Sequence, residues 1–318
     1  MPNVALINTV MYASTLILLS IGFTFIHTIE KFPNLAHVSY ASFGALFVFS
    51  LVRILGLNPY VAIPLASLMS GVVGVFIYLL IVRPMKEAGT SAIHITFAMF
   101  ALSYIIETIL LIYSFWIMLN YPFYTYGFLL RRYDTRIFDL PGITVVAPIL
   151  CVILVTVIHL FLTRNRYGIA IRAVSEDPKL ASSLGVNIFR VHVLSWFVTG
   201  ALAGLAGAAL SLWQATSIER ADALMANVLA ASILGGLNNF YGAIIGGIVI
   251  ALTQRLLPGF FIRIFGIWIA WYTPLIPIVL IVTVQLLMPE GVAGFLTGNP
   301  SPLERVRRLL SRASGTGD

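Results

Sequence analysis

The stretch Gly142–Thr163, GITVVAPILCVILVTVIHLFLT, runs without a single Asp, Glu, Lys or Arg. A helix rises about 1.5 Å per residue, so roughly 20 such residues cross the ~30 Å hydrocarbon core of a bilayer, and this segment is long enough. Working outward, Val4–Thr28, Pro59–Val82, Val193–Thr216 and Gly266–Met288 pass the same test. Asn34–Val52 is slightly shorter, Ser91–Trp116 carries one internal acid, Glu107, and Ala223–Gln254 is long for a single crossing. Barrel strands of about ten alternating residues would not leave uninterrupted apolar runs twice that length. The chain reads as an all-α polytopic transmembrane helix bundle with about 8 to 9 spans, some of them broken or re-entrant. Its first run lacks a basic leader and is too long for a signal segment, so it reads as an uncleaved span.

Composition agrees. Of 318 residues, 59% are hydrophobic and 10% charged, against about 25% charged in ordinary soluble domains. Such a chain cannot cover a globular surface in water. The formal charge is +7, but the basic residues are scattered between apolar runs, which argues against a nucleic-acid reader. Cys151 is the one cysteine, so a disulfide framework and a thiolate metal cluster are both excluded. No cofactor or metal site is read from the residues.

The polar segments set the expected topology. Arg83, Lys86 and Glu87 occupy one short loop; Arg164, Arg166, Arg172, Lys179 and Arg190 fill a second; Arg305, Arg307, Arg308 and Arg312 close the chain. Retained Lys and Arg mark the cytoplasmic side. The segment Asn120–Pro141, rich in Tyr and Phe, suits the opposite interface and its aromatic belt. For the loop ending at Arg190 and the tail near Arg305 to share a side, an even number of crossings must lie between them. Three single runs would be odd. The long run Ala223–Gln254 holds Gly235, Gly236, Asn238 and Asn239 at its middle, and such pairs break helices. Two short membrane segments joined by an irregular turn are expected there; the alternative is one tilted helix with a glycine kink.

Polar groups inside apolar runs are costly and mark candidate pathways. Asn34 and His37 follow the Lys31-Phe32-Pro33 interruption, and the histidine is either a ligand or a hydrogen-bonded packing residue. Glu107 is the one acid well inside an expected span. It either contacts a substrate ammonium or bonds to a neighbouring helix. Gly200, Gly204 and Ala208, and again Gly242 and Gly246, have the four-residue spacing that lets helix backbones approach.

In the second polar segment, Asp177 and Pro178 form an N-cap and first helical position, and Gly185 is a C-terminal stop. Between them lies a helix of about two turns, marginal on its own in water. With Leu180, Ala181 and Leu184 on one side, it is shaped to dock on another protein.

Three motifs resemble the integral-membrane permeases of branched-chain amino-acid ABC importers. Arg172-Ala-Val-Ser-Glu-Asp-Pro-Lys-Leu-Ala-Ser-Ser-Leu-Gly-Val-Asn is similar to that family's coupling-loop signature. Leu234-Gly-Gly-Leu-Asn-Asn-Phe-Tyr-Gly-Ala-Ile-Ile-Gly-Gly resembles its glycine-rich segment, and Pro289-Glu-Gly-Val-Ala-Gly its C-terminal motif. Met288 stands where a basic residue usually precedes that proline, and Asn238-Asn239 replace the usual Gly-Ser. The resemblance implies a single permease domain over 1–295 with a cytoplasmic coupling loop at 164–192. A basic, disordered tail at 296–318 would follow. It implies a second homologous permease subunit, two cytoplasmic ATP-binding subunits and an extracytoplasmic substrate-binding protein as partners, in the plasma (inner) membrane of a prokaryote, with lipid around the chain and no nucleic acid. Arg172, Glu176, Asp177, Ala181, Leu184 and Gly185 become the coupling candidates. Asn34, His37, Gly235, Gly236, Asn238, Asn239 and Glu107 become the substrate-path candidates.

The chain itself is not expected to be an enzyme. Lys31, Lys86 and Lys179 are its only lysines, and none sits in a Gly-Lys-Ser/Thr phosphate loop, so ATP chemistry must come from a partner. The competing reading is a stand-alone secondary carrier or channel for small polar or amphipathic solutes, for which Glu107 with His94 or His159 is the raw material. A membrane hydrolase lacks paired carboxylates or an activated nucleophile. Branched-chain amino acids, urea, short amides and other amino acids remain equal candidates for the cargo.

Overall fold

Helices account for nearly all of the computed structural model, which describes residues 4–137, 140–218, 221–288 and 291–296. In chain order they are α1 (Val4–Glu30), α2 (His37–Arg53), α3 (Pro59–Glu87), α4 (Ala92–Asn120), α5 (Ile143–Arg164), α6 (Arg166–Glu176), α7 (Pro178–Ser183) and α8 (Ile188–Trp213). Then follow α9 (Ala221–Gly235), α10 (Phe240–Phe265), a 3₁₀ segment (Ile267–Tyr272), α11 (Leu275–Leu287) and α12 (Gly291–Leu296). Among the described residues six helices, α1, α3, α4, α5, α8 and α10, are long and apolar enough to cross a membrane. The shorter apolar helices α2, α9 and α11 run beside them. A two-residue hairpin, β1 (Arg136–Ile137) and β2 (Leu140–Pro141), pairs antiparallel in the connection before α5. The tail expected beyond residue 296 and the Pro289-Glu290 pair lie outside the described residues.

The bundle has a basic end, with Arg83, Lys86, α6 and α7, and an aromatic end, with the segment from Tyr121 to Pro141. The 26 residues of α8 make it about 39 Å long and set the distance between the two. At the aromatic end the connection is tied down and not loose. Asp134 accepts hydrogen bonds from the Tyr60 hydroxyl at 2.5 Å and from the Ile143 amide at 3.1 Å. Phe128 bridges to Thr216, and the Arg53 guanidinium lies 4.1 Å from the Phe123 ring centre.

α8 forms the middle of the packing, against α1, α2 and α3. In lipid, apolar contact alone does not drive helices together, and small residues that let backbones approach do. A Cβ on Gly44 would run into the backbone of Gly204, one on Gly207 into Ala41, and one on Gly200 into the Ser70 carbonyl. The same device closes α9 on α10, where Gly246 faces Ala231 and Gly235 faces Gly242.

Breaks in the helices have local causes. α1 ends at Lys31, whose φ of 59° is a left-handed conformation rare for a side-chain-bearing residue. Residues 31–36 then lead back into the bundle, so α2 begins beside Leu19 and Gly22. Within α3, Tyr78–Val82 widen into a π turn in which the Arg83 amide reaches back to the Tyr78 carbonyl. Pro84 lacks an N–H and crowds the carbonyl four residues earlier, which favours that widening.

The long run Ala223–Gln254 does break at its glycines and asparagines, into α9 and α10. The two segments are unequal, however: α10 continues to Phe265 and takes in Arg255 and Arg263, so the expectation of two short arms holds only for α9. The run Gly266–Met288, expected as one span, is divided into the 3₁₀ segment and the 13-residue α11. Gly266 sits at φ 92° and Pro274 supplies no amide to a preceding turn, which accounts for the interruption. The polar run 164–187 is more helical than expected, with the whole of α6 preceding the short α7.

Gly44→Ala should lower the thermal midpoint of the detergent-solubilised protein, because overpacking a tight contact costs about 1–3 kcal/mol. Gly259→Ala, where the new methyl meets nothing within 4 Å, should leave the midpoint unchanged or raise it, since Ala exceeds Gly in helix propensity by about 1 kcal/mol. Equal effects on the two midpoints would discount backbone approach as the packing principle.

Candidate functional site

At the basic end, three helices are joined through one carboxylate. The Glu30 side chain, at the last residue of α1, is completely buried. It accepts hydrogen bonds from His192 Nδ1 at 2.7 Å and Trp196 Nε1 at 2.7 Å, both on α8, and from the Lys86 ammonium on α3. A buried charge is tolerated only when paired and hydrogen-bonded, and Glu30 has both. Tyr78, on the π turn of α3, stacks on the His192 ring at 5.6 Å and on Trp196 at 6.0 Å. Glu30 is not among the residues that the sequence singles out. Its partners are 56 and 162 residues away, and nothing local announces them.

Against this hub lies the polar segment. Asn165 caps α6 by accepting from the Tyr167 amide at 2.9 Å, and Asp177 caps α7 by accepting from the Lys179 and Leu180 amides at 2.9 and 3.0 Å. Gly185 ends α7 in the left-handed conformation, φ 83°. Ile171 and Val174 of α6 and Ala181 of α7 pack with Phe25 and Ile29 of α1 and Val191 of α8 in a small apolar cluster. The expected common side of α7 is therefore divided. Ala181 is turned inward and is 2% exposed, whereas Leu180 and Leu184 are 58% and 75% exposed. The underside of α7 packs on α6 and α8, and Leu180 and Leu184 are the apolar side chains that it offers outward, beside the exposed Lys179, Ser182 and Ser183.

A crevice of about 250 Å³ opens beside this cluster and brings together members of both candidate sets. Arg172 and Glu176 line it together with Asn238 and Tyr241 and with Thr24 and Thr28 of α1. His159 of α5 also lines it and bonds through Nδ1 to the Tyr241 hydroxyl at 2.5 Å.

The remaining path candidates divide by role. Gly236, φ 99°, makes the turn between α9 and α10; Gly235 permits their close approach; Asn239 caps α10, accepting from the Tyr241 and Gly242 amides at 2.9 and 3.0 Å. Of the four, Asn238 lines the crevice. Asn34 and His37 are fully buried where the chain enters α2. Asn34 Oδ1 accepts from the Ala36 amide at 3.1 Å, and His37 Nε2 bonds to the Leu19 carbonyl at 3.0 Å while its Nδ1 has no partner among the described residues. Thr24 Oγ1 and Ser20 Oγ, one turn apart on α1, are likewise buried without hydrogen-bond partners there. Glu107 is half-buried on α4, which packs chiefly on α2, and does not line the crevice. His94 shares α4 with it, thirteen residues and hence about 20 Å away along the axis. The ion-site raw material of the carrier reading is dispersed. Among the described residues no group of three His, Cys, Asp or Glu is arranged to hold a metal.

The profile of the family described as "Branched-chain amino acid transport system / permease component" matches residues 5–285. A "Probable branched-chain amino acid transport permease protein LivH" from Methanocaldococcus jannaschii is 28% identical over 304 residues, 96% of this chain and 94% of that protein. The "High-affinity branched-chain amino acid transport system permease protein LivH" of Escherichia coli is 32% identical over 137 residues, 42% of each. A solved structure, "PsaBC from Streptococcus pneumoniae in complex with Fab", superposes with a TM-score of 0.50 at 15% identity, covering 93% of this chain and 96% of that one. That is a likeness of fold.

Glu30→Leu should depress the thermal midpoint strongly, because it strands the Lys86 ammonium. Removing one partner of a buried pair costs about 3–5 kcal/mol, reduced here because Lys86 keeps a third of its side chain in contact with solvent. Glu30→Leu with Lys86→Met should recover part of the loss. A double variant no more stable than the single would rule out charge pairing as the source.

Proposed function

Because this chain belongs to the branched-chain amino acid transport system permease component family, we propose that it forms the membrane passage of an ABC importer for branched-chain or related amino acids. In this reading its energy comes from separate ATP-hydrolysing subunits docked at the basic end. The observation that carries the reading is α7: a helix stoppered at both ends by Asp177 and Gly185, holding Leu180 and Leu184 out from the bundle. An exposed leucine pair on a six-residue helix has no use in the isolated chain, and it has the form of a knob for a groove on a partner.

Coupling then runs through contacts that are already packed. Closure of two ATP-binding subunits presses on α7; Ala181 passes the displacement to Ile171 and Val174, and these to Phe25 and Ile29 of α1 and Val191 of α8. Glu30 and His192 stand one residue beyond Ile29 and Val191, so the hub moves with them. Such a contact shifts the balance between outward and inward access only if it differs between the two states. Arg172, Glu176 and Asn238, which line the same crevice, are the groups whose separation would change. The cargo passes Asn34, His37 and Asn238 on the way to the crevice. A second permease subunit completes the passage, and a substrate-binding protein delivers cargo at the aromatic end. The names of the relatives from an archaeon and a bacterium support a prokaryotic inner membrane.

In proteoliposomes holding the assembled complex, Leu184→Glu should reduce ATP-dependent uptake of L-leucine at least ten-fold while membrane insertion and thermal midpoint stay as in the parent, since the side chain is exposed. Uptake at the parent rate would remove α7 from the coupling path. The chain reconstituted alone should give no gradient-driven flux; flux without the ATPase subunits would favour a secondary carrier.

A further inference from the structure

The crevice of about 250 Å³ at the basic end has its mouth between two spans. α5 and α10 both pack on α1, and they meet each other through His159 and Tyr241, which line the crevice. Tyr241 is exposed and His159 half-buried. His159 stands five residues before the end of α5 at Arg164, about 7 Å along the axis. The polar layer outside the hydrocarbon core is about 5–7 Å deep on each side of a bilayer. The mouth therefore lies at the depth of lipid headgroups.

An apolar track leads away from it. Thr24 and Thr28, which line the crevice, share one face of α1 with Leu6, Val10, Ala13 and Ile17, at steps of three, four and seven residues. Most of α1 is buried, yet on this face Leu6 and Val10 are exposed and Ala13 and Ile17 half-buried. α10 runs alongside, with Gly247 against Ile17. From Thr24 to Ala13 is about 16 Å along the helix, close to the ~15 Å hydrocarbon depth of one leaflet.

The lining of the crevice supplies the other half of a recognition site. Arg172 and Glu176, one turn apart on α6, both line it. Such a spacing allows a pair, but no salt bridge joins the two. Thr24 is 1% exposed, and its Oγ1 is buried with no hydrogen-bond partner among the described residues. A buried hydroxyl is costly to leave unsatisfied. A cation, an anion and an unsatisfied hydroxyl thus stand together at headgroup depth, at the end of a track one acyl chain long. That combination matches a molecule carrying a phosphate, an ammonium and a long aliphatic tail.

We propose that the crevice and the α1 track together bind one phospholipid with a phosphoethanolamine headgroup, from the leaflet on the basic side. Arg172 and Thr24 donate to the phosphate, Glu176 accepts from the ammonium, and an acyl chain lies along Ile17 and Ala13. A choline headgroup has no N–H for Glu176, and a glycerol headgroup has no positive charge. A lipid seated here closes the crevice on its membrane side. In the importer reading it keeps cargo that reaches Asn238 from escaping into the bilayer; that consequence rests on the importer reading, and the site itself does not.

The test reads the lipid retained by the full chain, without ATPase subunits or cargo, so its outcome is separate from that of the uptake experiment. The chain is taken up from vesicles of equimolar dioleoyl phosphatidylethanolamine, phosphatidylcholine and phosphatidylglycerol and examined by native mass spectrometry. The ethanolamine lipid should be retained at least five-fold over each of the others. Glu176→Gln should abolish the preference for ethanolamine over choline. Arg172→Gln, and Ala13→Trp, which fills the track, should each lower retention of the ethanolamine lipid five-fold or more, with thermal midpoints like the parent's. A ten-fold molar excess of free O-phosphoethanolamine over lipid should not displace it from the parent chain, because the free headgroup lacks the tail. Equal retention of the three lipids by the parent would overturn the proposal, and this arm needs no variant. So would an unchanged preference in well-folded Glu176→Gln, or displacement by the free headgroup. Loss of the retained lipid on assembly of the complex would assign this face to the second permease subunit, and would overturn it too.

Discussion

One carboxylate sets the geometry of the basic end. Glu30 is completely enclosed, and its two oxygens are taken by groups from α3 and α8, so the ends of three helices cannot separate without exposing an unpaired charge to an apolar interior. Lipid offers no hydrophobic gain for keeping helices together, which makes such directed bonds, with the glycine contacts below them, the interactions that define where helix ends lie. The apolar cluster under α6 and α7 is built against the same three helix turns, since Ile29 and Val191 immediately precede Glu30 and His192. The position of the polar segment follows from the hub.

Much of this architecture was legible in the sequence, and the reasons differ by element. Length and the lack of charge located the six long apolar helices, because a bilayer imposes the same requirement on every crossing. The break between α9 and α10 was legible in Gly235, Gly236, Asn238 and Asn239, and the limits of α7 in Asp177, Pro178 and Gly185, because turns and caps are written in residues a few positions apart. What was missed depends on distant partners. Nothing near Glu30 points to His192 or Trp196. α6 was read as loop although Asn165 and the spacing of Gly168, Ile171 and Val174 carry a helix signal, because charge density was weighed above periodicity. The run Gly266–Met288 is split because Gly266 takes a φ of 92° and Pro274 has no amide to give, neither of which a lack of charge reveals.

The candidate residues show the same division. A local motif brought Arg172, Glu176 and Asn238 to attention, and the fold gathers them in one crevice. It also gives Asn239 and Gly235 ordinary structural work, a helix cap and a close backbone contact. Ala181, grouped by sequence with Leu180 and Leu184, faces the other way, since on so short a helix a step of one residue turns a side chain by about 100°. Glu107, the most conspicuous polar residue in the sequence, sits on a peripheral helix away from the crevice.

α1 is the element common to all of these features. Tyr12 lies toward the aromatic end, Thr24 and Thr28 line the crevice at the basic end, and Glu30 closes the hub. From Tyr12 to Glu30 is about 27 Å along a helix with no proline, so it transmits displacement as a rod and does not absorb it at a kink. Its neighbour α10 meets it with Gly247 against both the backbone and the Cγ1 atom of Ile17, a close approach that a side chain at position 247 would block. A rod held at one end by a paired charge passes a displacement near that end along its length. In the importer reading, a push at α7 that reaches Ile29 is expressed at Tyr12 as a displacement of the aromatic-end half of α1. The two ends of the chain are thus tied by the stiffness of one helix, without a continuous line of polar contacts between them.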